Sequence, residues 1–247
     1  LYVATTRPNE REDLPICDEI SKGCNIGIRE PVKASGLWPA DKGPKYTGYE
    51  LALWAADSWK NYKSCEEAVE QVRDSLDKEV SMGHMTILSK PAPDSVCTKI
   101  ACVVKPSGKL RLIDDLRRSG VNERVHCEET ICLPGLRSAA YLVQQLSKTA
   151  TVDDPLVWIE ADIASAFRHL PVNKFDRKFL VNHVGHLFYQ HVRLPFGLRS
   201  SPLLWCRLFG SVHRLVKKLV CDSAEEGAGM VYVDDLGWIV PKSRACE

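Results

Sequence analysis

Two adjacent carboxylates, Asp234 and Asp235, follow Tyr232 and Val233 in a segment with apolar flanks. Those flanks predict two short strands that meet at an acidic tip. Unpaired charges beside a buried hairpin cost several kcal/mol unless a counter-charge neutralises them. A divalent cation would supply that counter-charge, so the tip is a candidate metal site.

A third acid, Asp162, ends an apolar run at 158–162 and lies 72 residues before Asp234. A strand that ends at Asp162, followed by a short helical turn, can bring this carboxylate to the acidic tip. Asp162, Asp234 and Asp235 then form an oxygen-only site suited to Mg²⁺ or Mn²⁺, with no need for His or Cys. Two such ions, about 3.5–4 Å apart, clamp the attacking and leaving oxygens of a phosphoryl transfer.

Between these acids lies the segment 194–202, Leu-Pro-Phe-Gly-Leu-Arg-Ser-Ser-Pro. Apolar residues then recur at three- and four-residue steps, which predicts a helix. Ser201 is expected as its N-cap and Pro202 as its first helical residue. Gly197 in the preceding turn permits close approach of the backbone to a ligand.

In this order and at these distances, the three segments resemble motifs A, B and C of reverse transcriptases, the RNA-directed DNA polymerases of retroviruses and retroelements. The Leu-Pro-Phe-Gly-Leu form is most similar to the long-terminal-repeat and related retrotransposon branches. A fourth segment, 104–117, resembles the fingers strand pair of these enzymes. The resemblance covers roughly residues 96–247.

The resemblance implies a reaction and a metal site. Asp162 and Asp234 would hold two Mg²⁺ ions, or Mn²⁺, together with the backbone of Ile163, and Asp235 would be an accessory carboxylate. The implied reaction joins a deoxynucleoside triphosphate (dNTP) to a primer 3′-hydroxyl on an RNA template. The implied partners are therefore an RNA template and a DNA primer, or an RNA–DNA hybrid, and dNTP.

The resemblance also implies a nucleotide-binding site. Ser165 and Ala166 would offer backbone N–H groups to the triphosphate, while Lys105 and Arg111 would close over it and neutralise its growing charge. Phe167 matches the aromatic gate that leaves no room for a 2′-hydroxyl, which implies a preference for deoxynucleotides.

Further residues are implied around the base pair and the template. Phe196 and Gly197 would line the nascent base pair, while Ser201 and Pro202 would support the template strand. Tyr232 is placed with the template and primer.

The sequence predicts the α+β class, with an antiparallel sheet that carries helices on one face. By resemblance this is the palm of a right-handed polymerase with its fingers, truncated before the thumb. We assign 96–135 and 171–195 to the fingers and 136–170 and 196–247 to an incomplete palm. Residues 1–95 form an N-terminal extension with a helix near 65–82.

Local patterns predict the remaining elements. Strands are expected near 99–104 and 110–114, and a helix from about 136 to 148. A capping box at 64–67 is expected to start the helix that ends before Gly83. Residues 1–60 are expected to be irregular, apart from a possible helix at 51–59.

Composition indicates one compact unit, or two closely packed subdomains, since the 247 residues are 45% hydrophobic and 26% charged. No apolar run approaches the roughly 18–20 residues that span a bilayer, so no membrane partner is expected. Ten cysteines are scattered without a Cys-x-x-Cys pair. We interpret them as mostly buried thiols of an intracellular protein, in cytoplasm or nucleus and not secreted. The absence of an initiating Met indicates a fragment.

The charge distribution favours a nucleic-acid partner more than the net charge of +1 does. Residues 162–218 carry ten Lys and Arg against two Asp and Glu, whereas residues 1–98 carry twelve against sixteen. A concentrated basic segment beside an acidic metal site is expected of a protein that follows a phosphate backbone. Such a segment could also be a surface for a protein partner.

Plainer interpretations stay open for these residues. Asp234 and Asp235 could be a solvated turn, Phe167 a core aromatic, and Lys105 and Arg111 the exposed ends of a hairpin. For the whole chain, the alternative function is a decayed or co-opted polymerase-like module that binds nucleic acid or protein without turnover. A zinc site is not expected, because the spacing of the cysteines and histidines matches no common zinc module.

Overall fold

A computed structural model describes residues 13, 15–43, 51, 60–108, 110–220 and 227–245. The helices are α1 (Pro15–Lys22), α2 (Lys63–Glu66), α3 (Val69–Ser81), α4 (Val121–Arg124), α5 (Leu136–Leu146) and α6 (Ser201–Val220). The strands are β1 (Met85–Leu88), β2 (Cys97–Thr98), β3 (Ile100–Val104), β4 (Leu110–Asp114), β5 (Leu156–Asp162), β6 (Val181–Val184), β7 (Leu187–His191), β8 (Ala228–Tyr232) and β9 (Asp235–Pro241). Short 3₁₀ turns lie at Ala166–His169, Arg177–Phe179 and Lys242–Arg244.

The described strands form three sheets. One has the order β5-β9-β8 and is antiparallel throughout. A second has the order β1-β7-β6-β2 and is mixed, because β2 runs parallel to β6. The third is the β3–β4 hairpin. The α+β class is therefore confirmed, as are the predicted strands near 99–104 and 110–114 and the helix that begins at Leu136.

Helices α5 and α6 pack on opposite faces of the β5-β9-β8 sheet. Residues paired across two strands share a face, and their chain neighbours take the other face. Leu146 of α5 packs with Ala228 and Ile239, which are paired. His213 of α6 instead lies against Trp238, the next residue along β9. The prediction that the helices lie on one face is therefore wrong.

The segment 15–43 belongs to the main hydrophobic core. Ile16, Cys24 and Ile26 are buried in the same cluster as Phe167 and the apolar face of α6. The prediction of irregular structure in 1–60 is wrong at Pro15–Lys22, which form helix α1. This short helix carries only two apolar core residues, Ile16 and Ile20, one turn apart, so its sequence shows little helical periodicity. The helix expected at 51–59 lies outside the described residues, apart from Leu51.

The helix expected near 65–82 forms as two pieces, α2 and α3. Val72 and Leu76 are the buried residues of α3, and Gly83 follows its end with φ of 72°. The predicted capping box is absent at the start of α2, because Ser64 Oγ instead accepts a hydrogen bond from the Cys102 N–H on β3 at 3.1 Å. The serine hydroxyl thus joins α2 to the β3–β4 hairpin.

Strand β1 lies within the predicted N-terminal extension, yet it pairs with β7 from Met85↔His191 to Leu88↔Phe188. Packing is thus continuous across residue 95. Among the described residues, the eight cysteines are free thiols, and five of them are buried. No helix in the described part of the chain is both long and apolar enough to cross a membrane.

Candidate active site

Strand pairing brings Asp162 directly opposite Asp235. The β5–β9 ladder runs from Leu156↔Pro241 to Asp162↔Asp235, and directly opposed Cα atoms in such a ladder lie about 4.5–5.5 Å apart. The Ile163 N–H also donates to the Asp234 carbonyl oxygen at 3.1 Å. The backbone therefore gathers all three predicted aspartates at one end of the sheet.

The tip of the β8–β9 hairpin is strained and anchored. Tyr232 pairs with Asp235 across a two-residue turn, in which Val233 has φ of 58°. A β-branched residue with positive φ is an outlier that the surrounding structure must hold in place. Trp205 of α6 does so, because its Nε1–H donates to the Val233 carbonyl oxygen at 2.7 Å. This hydrogen bond fixes the position of the acidic tip relative to α6.

A second strained residue lies after Asp162. Ser165 has φ of 56° and precedes the 3₁₀ turn at Ala166–His169. Among the described residues, Ser165 and Val233 are the non-glycine residues with positive φ. Backbone strain of this kind clusters at functional sites. Both instances here flank the aspartates.

The side chains at this end of the sheet offer carboxylate oxygens, the donor type that hard divalent cations prefer. Asp162 and Asp235 are exposed and Asp234 is partly buried, and directly opposed like charges are destabilising without a counter-ion. The negative charge of Asp234 contributes, after burial, to raising the pKa of the Cys206 thiol to about 11. Within the described residues, however, no group of three or more Asp, Glu, His or Cys side chains is arranged so that it could hold a metal ion.

An open cavity of about 510 Å³ lies along the aspartate-bearing face. Asp162, Asp235, Glu160 and Tyr232 line it, together with Trp158. Glu160 was not predicted as a site residue; its Oε1 accepts a hydrogen bond from Trp158 Nε1 at 2.8 Å. Tyr232 is 54% exposed. An open surface lined by carboxylates attracts cations and repels polyanions.

Two groups of predicted nucleotide-binding residues, one that follows Asp162 and one that follows Pro195, are in contact with each other. The rings of Phe167 and Phe196 lie 4.9 Å apart at 43°, with Phe167 buried and Phe196 exposed. Ala166 is buried beside Phe167. Ser165 and Phe196 line a common cavity of about 190 Å³.

The backbone conformation and the close packing at position 197 favour glycine over any other residue. It has φ of 91°, and a Cβ there would come within 3.2 Å of the Asp114 carbonyl oxygen. Its own carbonyl oxygen accepts a hydrogen bond from Asn122 Nδ2 at 2.8 Å. The turn before α6 is thereby joined to α4 and passes close to the end of β4.

Lys105 and Arg111 lie on the β3–β4 hairpin and are exposed. Arg111 is paired with Val103 on the neighbouring strand. Within the described residues, no hydrogen bond or ion pair joins either side chain to the aspartates. Their predicted role over a triphosphate stays a prediction.

Helix α6 begins differently from the prediction. The Leu204 N–H donates to the Ser200 carbonyl oxygen, so the helix starts one residue earlier than expected. The Ser201 hydroxyl donates to the Pro195 carbonyl oxygen at 2.9 Å and is buried. Ser201 therefore does not act as the N-cap; it ties the helix to the preceding loop, and Pro202 lies in its first turn.

Several basic side chains of the segment 162–218 form ion pairs within the protein. Arg207 is buried and its Nη2 lies 2.6 Å from Asp13. Arg168 pairs with Glu79, and Arg199 Nη2 lies 2.6 Å from Asp41. The count of charges in the sequence thus overstates the basic surface that faces solvent.

Trp205 and Arg168 were not predicted as site residues. Trp205 was interpreted only as one position of an apolar helical stripe, and Arg168 only as a positive charge. Their contacts come from residues distant in sequence, at Val233, Glu79 and His191. The position of Arg168 directly after Phe167 was the single local signal.

No protein-family model matches this chain, and no curated protein matches it. Among solved structures, it is similar to the crystal structure of the native protease-reverse transcriptase of prototype foamy virus, with a TM-score of 0.49 and 18% sequence identity. The match covers 78% of this chain and 22% of that protein, so this chain spans about a fifth of the length of that protein. A likeness this distant carries no weight for the function.

Proposed function

We propose that this chain is the catalytic fragment of an RNA-directed DNA polymerase, which transfers a nucleotide from a dNTP to a primer 3′-hydroxyl. The observation that carries the proposal is the β5–β9 register, which sets Asp162 opposite Asp235 and beside the backbone of Asp234. These acids come from two strands that are separated in sequence by the whole of α6.

In this proposal Asp162 and Asp234 hold two Mg²⁺ ions, or Mn²⁺, with the Ile163 carbonyl group beside them and Asp235 as an accessory carboxylate. When bound, the ions would stabilise charge on the attacking and leaving oxygens of the phosphoryl transfer. The side chains contribute the negative charge that holds these cations. The strained tip keeps that charge at a fixed place without rearrangement during the reaction.

The residues after Asp162 would select the nucleotide. The backbone N–H groups of Ser165 and Ala166 would face the triphosphate, and Lys105 and Arg111 would approach it from the β3–β4 hairpin. Phe167, packed against Phe196, would exclude a ribose 2′-hydroxyl by its volume. Gly197 would let the base pair approach the backbone closely.

Proposed partners are an RNA template and a DNA primer, or their hybrid. In polymerase terms, the β5-β9-β8 sheet with α5 and α6 would be the palm, and the other two sheets would be the fingers. Tyr232 would face the primer from the hairpin tip. Ser201 would act on the template only through the loop that it holds, since its side chain is buried.

Single-nucleotide addition to a primer on an RNA template tests the proposal. We expect Mg²⁺-dependent addition by the unaltered protein and a loss of about 100-fold in Asp234→Asn, because the transition state loses one charge that holds the cations. Asp153→Asn is the matched control, since Asp153 is an exposed aspartate in the loop before β5. Equal rates in Asp234→Asn and the control would show that Asp234 is not a metal ligand.

A second candidate is a polymerase-like module that binds nucleic acid or protein without turnover. The observation that favours it is the absence, within the described residues, of side chains already arranged to hold a metal ion. Such a module would bind a primer–template duplex yet add no nucleotide. Its binding would not change in Asp234→Asn.

A further inference from the structure

A partly buried network of polar side chains adjoins the turn that carries Phe167. The Nε of Arg168 lies 3.1 Å from Glu79 Oε2 on α3, and its Nη1 lies 2.8 Å from His191 Nδ1 on β7. His191 Nε2 in turn lies 3.4 Å from Asp114 Oδ2 at the end of β4. One guanidinium thus connects the turn to a helix and, through His191, to two strands.

The order of donors along this network is fixed. A guanidinium only donates hydrogen bonds, so His191 Nδ1 accepts from Arg168 and the ring hydrogen lies on Nε2. Nε2 is 3.4 Å from Asp114 Oδ2 and makes no hydrogen bond with it. Burial lowers the pKa of His191, which keeps the ring neutral. Burial acts to raise the pKa of Asp114, but that pKa is lowered on balance, and the Arg168 cation and the hydrogen bond from Asn182 are among the causes. Asp114 therefore keeps its negative charge.

Glu79 has a second partner that fixes its position. The Nδ1 of His84 lies 3.1 Å from the same Oε2 that Arg168 contacts. The His84 carbonyl oxygen also accepts hydrogen bonds from the N–H groups of Val192 and Arg193, which follow β7. The carboxylate that receives Arg168 is thus itself held against the strand that supplies His191.

Arg168 is next to the proposed gate in the chain and in space. Its backbone N–H donates to the Ser165 carbonyl oxygen at 2.8 Å, which closes the turn. Its side chain lines the cavity of about 190 Å³ that Ser165 and Phe196 also line. The ring of Phe167 packs on Phe196 at 4.9 Å.

We infer that Arg168 is a positioning residue for nucleotide selection, an inference that rests on the function proposed above. Its guanidinium holds the turn against α3 and β7, and the turn would hold Phe167 where its ring meets the sugar of a bound nucleotide. In this role Arg168 would contact neither the sugar nor the cations. Displacement of a positioned group by about 1 Å can change a rate by up to about 100-fold.

The test is the ratio of kcat/KM for a deoxynucleotide to that for the matching ribonucleotide, measured by single-nucleotide addition. We expect this ratio to fall by about tenfold in Arg168→Met, with a rise in KM for the deoxynucleotide and little change in kcat. Arg168→Lys keeps a cationic donor for Glu79 and should restore part of the ratio. The ratio does not depend on how much of the protein is folded, so a loss of stability alone leaves it unchanged.

Arg29→Met is the matched control. Arg29 Nε lies 2.5 Å from Asp176 Oδ1, and the Asp176 side chain is fully buried, so this variant also leaves a carboxylate without its guanidinium. We expect it to lose stability and to keep the ratio of the unaltered protein. If the deoxynucleotide-to-ribonucleotide ratio of kcat/KM in Arg168→Met is within twofold of the ratio in Arg29→Met, the inference about Arg168 is wrong, while the proposed function is unaffected. No nucleotide addition by the unaltered protein contradicts the proposed function, and the inference with it.

Discussion

Phe167 shows how one residue can have both a structural and a functional interpretation. It is 8% exposed and belongs to the main core cluster, as the plainer interpretation of the sequence predicts. It also contacts the exposed ring of Phe196 at the edge of the cavity shared with Ser165. Phe167 therefore supports, from the core, the Phe196 ring that lines this cavity, so a change of its volume can alter the cavity through Phe196.

We expect Phe167→Val to increase the use of ribonucleotides relative to deoxynucleotides by roughly 10- to 100-fold, the range that a single steric contact supplies. Valine opens space for a 2′-hydroxyl while it retains part of the buried apolar surface. Single-turnover addition of the two nucleotide types measures the effect.

Phe179→Val is the control for this change, because Phe179 is 9% exposed and lies in another 3₁₀ turn. Its expected result is a similar loss of stability with unaltered selection. If both variants keep the selection of the unaltered protein, the gate assignment is wrong.

At the scale of the elements, the hairpin and its partner strand were predictable from sequence. Apolar runs on both sides of Asp234, and the run that ends at Asp162, are local signals, and β5, β8 and β9 form there. The anchoring of the tip by Trp205 was not predictable, because that contact joins residues 28 apart through the packing of α6 on the sheet. The placement of α5 and α6 on opposite faces depends on the same packing.

Helix α6 approaches the sheet closely at Gly229. A Cβ at Gly229 would lie 2.2 Å from His213 Nε2 and 2.8 Å from Trp238 Cε2. We therefore expect Gly229→Ala to lower the free energy of unfolding by about 1–3 kcal/mol, the usual cost of overpacking. Urea unfolding, followed by circular dichroism at constant m-value, measures this change.

Gly210→Ala offers a contrast on the same helix. A Cβ there meets only Arg214 Nη1 at 3.5 Å, and alanine is favoured over glycine in a helix by about 0.5–1 kcal/mol. We expect this variant to be as stable as the unaltered protein or more so. A Gly229→Ala protein of equal stability would contradict the close packing of α6 on β8.

At the scale of the whole molecule, the sequence did not predict that Asp13 and the segment 15–43 pack into the main core and against α6. Arg207, within α6, is buried against Asp13 and Glu19, and burial raises the pKa of both acids although Arg207 opposes it. An ion pair between residues 194 apart leaves no periodic signal in the chain. The same pairing removes Arg207 from the basic surface that the charge count had indicated.

Among the described residues, the non-glycine residues with positive φ and three closely spaced aspartates thus lie at one end of the β5-β9-β8 sheet. Natural proteins keep such destabilising features where function requires them. Asp162 belongs to this site through strand pairing, not through sequence proximity. Removal of its charge is consequently the sharpest perturbation of the site.

The most direct measurement is a Mn²⁺ titration followed by electron paramagnetic resonance, with a primer–template duplex bound to the protein. We expect saturable Mn²⁺ binding that weakens by about tenfold or more in Asp162→Asn, since loss even of a group that only supports a ligand costs about 10–100-fold in affinity. Asp153→Asn should bind Mn²⁺ as the unaltered protein does. Equal Mn²⁺ affinity in Asp162→Asn and in the unaltered protein would contradict a shared metal site at the three aspartates.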